Sequence, residues 1–199
     1  SDNNNSYRFN DYKINYSADS FYFKTLFWID KFAFKINKKF TQISKPIDIN
    51  PKTVPFRKKI ELNYEINNCN NCGFYKYDSI NEIWKYSSTS YIDTLIKTEI
   101  ASGGIFSVLE EKEKPNIYNL IPAPNSKYKQ KDITKIKFNL TDELSGINEK
   151  KIKITINGEN LFYDYIHYRN LIIAELNSTL SPGKHILEIM VYDNVDNLK

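Results

Sequence analysis

Short apolar runs with a period of two recur along this chain, and they constrain its fold more than any other feature. Successive side chains of a β-strand point to opposite faces, so such alternation is typical of half-buried strands. Turn-forming pairs such as Gly103-Gly104 and Asn157-Gly158 separate the runs. The pattern therefore predicts an all-β protein. The runs are Phe21–Phe27, Phe32–Ile36, Ile60–Ile66, Phe74–Tyr77, Ile105–Leu109, Ile133–Leu140, Ile152–Ile156, Leu171–Leu176 and Ile186–Tyr192.

The length of 199 residues suits two small domains, since domain sizes cluster near about 100–150 residues. A charged stretch, Glu110–Lys114, ends at Pro115, which cannot donate to a sheet ladder. We therefore predict two tandem β-sandwich domains at residues 21–112 and 113–199, after an N-terminal tail or linker at residues 1–20. The start at Ser1 without Met suggests a processed product or a piece of a longer protein.

Charge and hydropathy exclude two classes of partner. The net charge is +4, and Lys and Glu are interleaved along the chain, which is unlike the clustered basic patches of nucleic-acid-binding proteins. The apolar runs are far shorter than the ~20 residues of a membrane-spanning helix. We expect no nucleic-acid partner and no membrane span.

The second half can be divided into six predicted strands. Asn157-Gly158 is the strongest hairpin feature in the chain, because both central positions of a type I′ turn require positive φ. It predicts a hairpin between the third and fourth strands. The six strands are Asn116–Leu120, Ile133–Leu140, Lys151–Ile156, Leu161–Tyr165, Leu171–Leu176 and His185–Tyr192.

The turns of the second half also follow one another in a recognisable order. In that order they resemble the bacterial Ig-like domain that often lies at the C-terminal end of secreted or surface proteins, including those with lysostaphin-type zinc cell-wall peptidases. Where such domains usually have Gly in an Asp-Asn-x-Gly-Asn turn, this chain has Asp196, so a non-Gly residue must adopt that conformation. The matching pieces are Lys114-Pro115, Asp142–Ile147, Ile156–Gly158, Tyr163-Asp164, Leu180–His185 and Val191–Asn197.

The first half is similar to the β-sandwich that precedes such a domain, through Ile60–Tyr64, Gly73–Asp78, Ile83–Tyr86 and Ala101–Leu109. The resemblance implies that a peptidase of this family would hold its zinc ion through a His-x-x-x-Asp motif and a His-x-His motif. His167 and His185 are the two histidines of the chain, and they stand in neither context. The resemblance thus implies an accessory module, with no enzyme activity, no catalytic residues, no cofactor and no metal site.

Cys69-Asn-Asn-Cys72 lies between two predicted strands. A thioredoxin-like redox motif requires a helix after it, and zinc requires about four ligands, so both interpretations are disfavoured. A structural disulfide between Cys69 and Cys72 is preferred for an exported protein. Two buried or reduced thiols remain the alternative.

Two further groups are candidate ligand sites. Period-two spacing places Tyr163, Tyr165 and His167 on one face of a strand, where exposed aromatic rings would stack on sugars or contact a protein. The acidic pieces Asp142-Glu143 and Asp193 to Asp196 have oxygen ligands suited to Ca²⁺ if they meet, but turn formation is the favoured interpretation because no contiguous loop supplies enough ligands.

These features together predict a non-catalytic structural or interaction module, acting as a spacer, docking domain or assembly subunit of an exported bacterial surface protein. The expected location is extracellular, cell-surface or periplasmic. A protein partner or self-assembly is the first expectation. The alternative is a carbohydrate- or cell-wall-binding module, accessory to a zinc peptidase, with a cell-wall glycan as its ligand.

Overall fold

The computed structural model describes residues 4–33, 36–66 and 69–199. In these residues the strands pair only in the antiparallel sense. Apart from strands, this part of the chain contains four short 3-10 turns and no α-helix. The prediction of an all-β protein is confirmed.

The chain packs into two compact units that divide between Lys112 and Glu113. The division lies next to the charged stretch that ends at Pro115. The strands of the first unit are β1 (Asn4–Phe9), β2 (Tyr12–Ser17), β3 (Trp28–Lys31), β4 (Phe40–Gln42), β5 (Ile47–Asn50), β6 (Pro55–Glu65), β7 (Cys72–Asp78), β8 (Ile83–Ser87), β9 (Thr89–Ile92), β10 (Leu95–Ser102) and β11 (Gly104–Glu111).

Two sheets of the first unit share one apolar core. One sheet has the order β1-β2-β6-β10-β9, and the other has the order β3-β5-β11-β7-β8, with β4 also paired to β11. Alternate residues such as Ile60 and Leu62 of β6 are fully buried. They belong to the same core cluster as Phe74 and Phe106 of the other sheet. β-branched and aromatic side chains are well suited to such half-buried, pleated surfaces.

The N-terminal segment differs from the tail or linker expected for residues 1–20. β1 and β2 form an antiparallel pair, and β2 extends the sheet by pairing with β6. Tyr12 and Ile14, two residues apart on β2, are both buried. These strands therefore contribute to the core of the first unit.

The prediction of a strand at Phe21–Phe27 was wrong. This segment is irregular and follows a 3-10 turn at Ala18–Ser20. The rings of Phe21 and Phe27 lie 5.8 Å apart, and both contact the ring of Phe56. Packing between rings, and not a sheet ladder, accounts for the aromatic spacing. Of the predicted strand Phe32–Ile36, residues 34 and 35 lie outside the described residues, and the rest is not a strand.

The second unit is smaller and also has two sheets. One has the order β12-β13-β17-β16, and the other has the order β15-β14-β18. Their inward residues, including Phe138, Ile154 and Ile172, form one core cluster. The strands are, in chain order, β12 (Asn116–Ile121), β13 (Lys135–Thr141), β14 (Lys153–Ile156), β15 (Glu159–Asn160), β16 (Tyr163–Ile166), β17 (Leu171–Glu175) and β18 (Leu187–Met190).

The Asn157-Gly158 turn is confirmed, but the strand after it differs from the prediction. Asn157 and Gly158 have φ values of 51° and 84°, and they join β14 to the two-residue β15. Leu161 N–H still donates to the Ile154 carbonyl of β14 at 2.9 Å, but the rest of the predicted fourth strand, Leu161–Tyr165, does not pair with β14. Residues Tyr163–Ile166 form β16, which pairs with β17 in the other sheet.

Candidate functional site

A disulfide joins Cys69 to Cys72 across a Cα–Cα distance of 5.9 Å. Cys72 is buried at the start of β7, and Cys69 is partly exposed. The bond closes the turn that leads into β7. These are the two cysteines of the chain, so neither thiol serves as a nucleophile or a metal ligand in this state.

The acidic turns of the second unit bind their own backbone. The Asp142 carboxylate accepts hydrogen bonds from the backbone N–H of Leu144 at 3.0 Å and of Gly146 at 2.7 Å. The Asp193 carboxylate accepts from the N–H of Val195 at 2.9 Å and from the N–H and side-chain amide of Asn197 at 2.8 and 2.7 Å. These contacts are those of turn-forming carboxylates.

The same two turns meet at one end of the unit. The backbone N–H of Asn194 donates to the carbonyl of Gly146 at 2.9 Å. Burial raises the pKa of Asp193, and the nearby charge of Asp142 raises it further, against the opposing effect of its hydrogen bonds. Asp196 has a φ of 70°, so it adopts the left-handed conformation that the turn requires in place of Gly.

Tyr163 and Tyr165 lie on β16, whereas His167, predicted on the same strand, begins the 3-10 turn His167–Arg169 that follows it. The three side chains lie around Glu149. The rings of Tyr165 and His167 are 4.4 Å apart between centroids. The Tyr163 hydroxyl donates to the backbone carbonyl of Glu149 at 3.3 Å, and His167 Nδ1 lies 3.5 Å from Glu149 Oε1. Tyr163 and Tyr165 pack against the core on one side. Their role as ligand-facing aromatics stays a prediction.

Burial, aided by the Glu149 charge, raises the pKa of both Tyr163 and Tyr165. Both side chains are therefore neutral phenols near pH 7, with a hydroxyl that can donate. Tyr165 lines a shallow hollow of about 330 Å³, together with Thr141, Glu149 and Asn170. An aromatic ring beside hydroxyl, carboxylate and amide groups is an arrangement that suits a sugar.

His185 holds a loop in place. Its Nε2 contacts the carbonyl of Ser181 at 2.7 Å, and its Nδ1 contacts the side-chain amide of Asn157 at 2.8 Å. A neutral ring with the proton on Nε2 satisfies both contacts, since Nε2 then donates and Nδ1 accepts. This histidine fixes the segment Leu180–Ile186 against the Asn157 turn.

A wide groove in the second unit was missed by sequence reasoning. A groove of about 1040 Å³ lies between the loops at residues 122–130 and 180–186. The side-chain amide of Gln130 donates to the Leu180 carbonyl at 2.7 Å and so links the two loops. Apolar residues line much of the groove, among them Leu120, Ile133, Ile136, Ile156, Leu180, Ile186 and Leu187.

The charges around this groove have one sign. Lys127 and Lys184 contribute to its lining, whereas no carboxylate does so within the described part of the chain. Neither lysine is joined to an acidic side chain by a salt bridge among the described residues. The groove thus combines an apolar floor with cationic edges.

The groove adjoins the free edge of β18. This strand pairs with β14 on one side and is the last strand of its sheet. Leu187 and Ile189 pack against the core but remain partly exposed. In the first unit, the central strands β6 and β11 each have a paired strand on both sides.

A second exposed apolar surface lies in the first unit. Between Phe21 and Phe27, Tyr22, Phe23 and Leu26 point outward, with exposed fractions of 62%, 64% and 79%. Thr25 donates its hydroxyl hydrogen to the Phe23 carbonyl at 2.9 Å and orders the loop. The sequence showed the aromatic run but assigned it to a strand.

In comparisons with known proteins, the chain matches no protein-family model, no curated protein and no solved structure. Within residues 4–33, 36–66 and 69–199, no helix has the length and hydropathy that crossing a membrane would require.

Proposed function

We propose that this chain is a non-catalytic interaction module of an exported bacterial surface protein. Its two units would be tandem β-sandwich domains, with the second of the immunoglobulin-like type. Antiparallel sheets around a shared core in each unit support this architecture. Sandwich domains bind through edges and loops and need no catalytic pocket.

The observation that carries the proposal is the apolar groove beside β18. Its lining includes Ile133, Leu180 and Leu187, which are partly exposed, and Ile186, which is 60% exposed. Leaving such side chains beside water costs free energy, and contiguous exposed apolar surface on a soluble protein typically marks an interaction site. A bound polypeptide would cover these residues.

The disulfide supports the export of the protein. Disulfides persist in oxidising compartments and are rare in the reducing cytosol. Cys69 and Cys72 are bonded, as they would be on a cell surface or in a periplasm. The contacts of His167 and His185 are structural, with Glu149 and with a loop, which supports a role without catalysis.

Site-specific photo-crosslinking tests this function. A benzophenone amino acid placed at Ile186, which is 60% exposed on the groove, is expected to crosslink a polypeptide on the surface of the producing cells. The matched control places it at Phe162, which is 88% exposed on another part of the unit. Equal crosslinking from both positions, or none from either, would contradict an interaction site at the groove.

The hollow beside Tyr165 favours a second candidate function, the binding of cell-wall glycan as an accessory module of a zinc peptidase. The ring and the neighbouring Thr141, Glu149 and Asn170 supply stacking and hydrogen-bonding groups for a sugar. Titration with soluble peptidoglycan fragments is expected to shift the NMR resonances of Tyr163, Tyr165 and His167. Unchanged resonances at millimolar fragment would remove this candidate.

A further inference from the structure

β18 is the last strand of its sheet, so one of its edges has no paired strand within the described residues. In antiparallel pairing, alternate residues direct their backbone groups to opposite sides of a strand. Asn157 N–H donates to the Ile186 carbonyl at 2.8 Å, so residues 186, 188 and 190 face β14. The backbone N–H and C=O groups of Leu187 and Ile189 therefore point to the free edge.

The neighbouring residues show the pairing that this edge accepts. Val191 and Lys199 exchange backbone hydrogen bonds at 3.2 and 2.9 Å, and Asp193 N–H donates to the Asn197 carbonyl at 3.2 Å. The segment Asn197–Lys199 thus runs antiparallel on the same outer side, next to residues 191–193. A strand beside Leu187 and Ile189 would continue this ladder, with its N-terminal end close to Lys199.

Side chains of an added strand would enter the groove. Directly opposed residues of two paired strands point to the same face. Leu187 and Ile189 face the core, so the residues opposite them would point inward, toward the apolar lining that includes Ile133 and Ile136. The incoming strand needs apolar residues at these two alternating positions.

Charge complementarity specifies the other end of the strand. Beyond Leu187, an antiparallel partner would pass Lys184 and Lys127, which line the groove without a carboxylate among its described lining residues. Acidic residues after the apolar pair would meet these lysines. The nearby carboxylate of Glu188 is not part of the groove lining. It lies on the opposite face of β18, where it accepts a hydrogen bond from the Thr155 hydroxyl at 3.1 Å.

We propose that the edge of β18 and its groove bind an extended segment of a second polypeptide by β-strand addition. The segment runs antiparallel to β18, places alternating apolar side chains in the groove and carries acidic residues at its C-terminal end. This inference rests on the proposed interaction function and names the partner of the groove. Backbone hydrogen bonds supply affinity in this mode of recognition, and alternate side chains supply specificity.

A labelled peptide, Thr-Val-Thr-Val-Thr-Glu-Glu, probes the proposal with the full chain. Fluorescence anisotropy is expected to show binding at least about tenfold tighter than that of Val-Val-Thr-Thr-Thr-Glu-Glu, which lacks the alternation, because its valines cannot both enter the groove. Lys184→Glu is expected to weaken binding about three- to tenfold. Lys137→Glu, the same charge change on an exposed residue of β13, is the matched control and should leave binding unchanged.

Hydrogen exchange gives the readout specific to strand addition. On binding, the amides of Leu187 and Ile189 are expected to become slow, whereas those of Glu188 and Met190, which face β14, should not change. A second variant fuses the peptide directly after Lys199. The fusion should slow the same two amides and abolish capture of the free peptide.

Binding without protection of Leu187 and Ile189, or no difference between the two peptides, would overturn strand addition. Protection in the fusion, together with no binding of the free peptide by the unfused chain, would overturn a second polypeptide as the source. Crosslinking from Ile186 that persists despite either result would leave the groove as an interaction site and show that the failure belongs to strand addition alone.

Discussion

The two units solve the same packing problem to different degrees. The first unit covers its core with sheets of five and six strands, and it holds a disulfide and buried hydroxyl groups that bond one another. The second unit has sheets of four and three strands, and core residues of its smaller sheet line an open groove. From this difference we expect binding at the groove of the second unit, where the smaller sheet leaves part of the core open.

The two units also differ in how their buried hydroxyl groups are hydrogen-bonded. In the first unit, Ser44 Oγ bonds the Tyr12 hydroxyl, accepts the N–H of Val108 at 2.7 Å and lies 3.3 Å from Ser107 Oγ. Burial raises the pKa of Tyr12, so its hydroxyl stays protonated within this network. In the second unit, the Oγ of the buried Ser145 has no hydrogen-bond partner among the described residues.

The largest expected effect tests whether the first core is tightly packed. Phe74 is fully buried between the sheets, so Phe74→Ala is expected to lower the free energy of unfolding by about 3–5 kcal/mol through lost contacts and a cavity. Trp28 and Trp84, the two tryptophans of the chain, both lie in this unit, and urea unfolding followed by their fluorescence measures the change.

The matched control for that variant is Phe23→Ala. Phe23 is 64% exposed, and its replacement should change the free energy of unfolding by no more than about 0.5 kcal/mol. Equal losses from the two variants would show that the buried fraction does not determine stability in this unit.

A pair of serine variants sharpens the comparison of the two units. Ser44→Ala leaves buried donors and acceptors without a partner and is expected to cost about 1–3 kcal/mol, whereas Ser145→Ala should be nearly neutral because no such bond is lost. Segment-resolved hydrogen exchange in denaturant measures each unit separately. A larger loss of unfolding free energy for Ser145→Ala than for Ser44→Ala would contradict the difference between a hydrogen-bonded and an unbonded hydroxyl.

The smallest expected effect is a pH dependence of the first unit. Burial raises the pKa of Glu61, but hydrogen bonds from Asn15, Asn63 and Lys97 outweigh it, and the pKa in the folded state lies below its ordinary value. Glu61 therefore stabilises the fold above its unfolded-state pKa of about 4.3, and this contribution disappears as the pH falls through the folded-state pKa.

The corresponding measurement compares urea unfolding of the wild type and Glu61→Gln at pH 6 and pH 3. The stability difference between them is expected to shrink at pH 3, because protonation makes the two side chains alike. Glu159→Gln on the short, exposed β15 is the control in the other unit. A difference for Glu61→Gln that is the same at both pH values would contradict the hydrogen-bonded carboxylate.

Local chemistry made much of the fold predictable. Alternation identified most core strands, and Asn157-Gly158 indicated its turn because positive φ at both positions leaves few other structures. The prediction of a strand at Phe21–Phe27 was wrong because aromatic rings that pack on one another in a loop have the same sequence spacing as the residues of a strand. The predicted pairing of β16 was wrong because the sheet to which a strand belongs depends on contacts far away in sequence.

The candidate site was less predictable for the same reason. Cys69 and Cys72 are near in sequence, so their pairing was within reach of local reasoning. The groove forms between the loops at residues 122–130 and 180–186, and nothing in their local sequence indicates that these loops face each other. The free edge of β18 depends on which strands adjoin it, and that is a property of the sheet, not of the strand.

Residue-resolved amide hydrogen exchange of the unliganded chain tests the central claim, the free edge of β18, most directly. The amides of Glu188 and Met190 face β14 and are predicted to exchange slowly. Those of Leu187 and Ile189 are predicted to exchange about tenfold faster or more, because their N–H groups have no strand to donate to. Uniformly slow exchange along Leu187–Met190 would contradict a free edge, and with it the proposed site of strand addition.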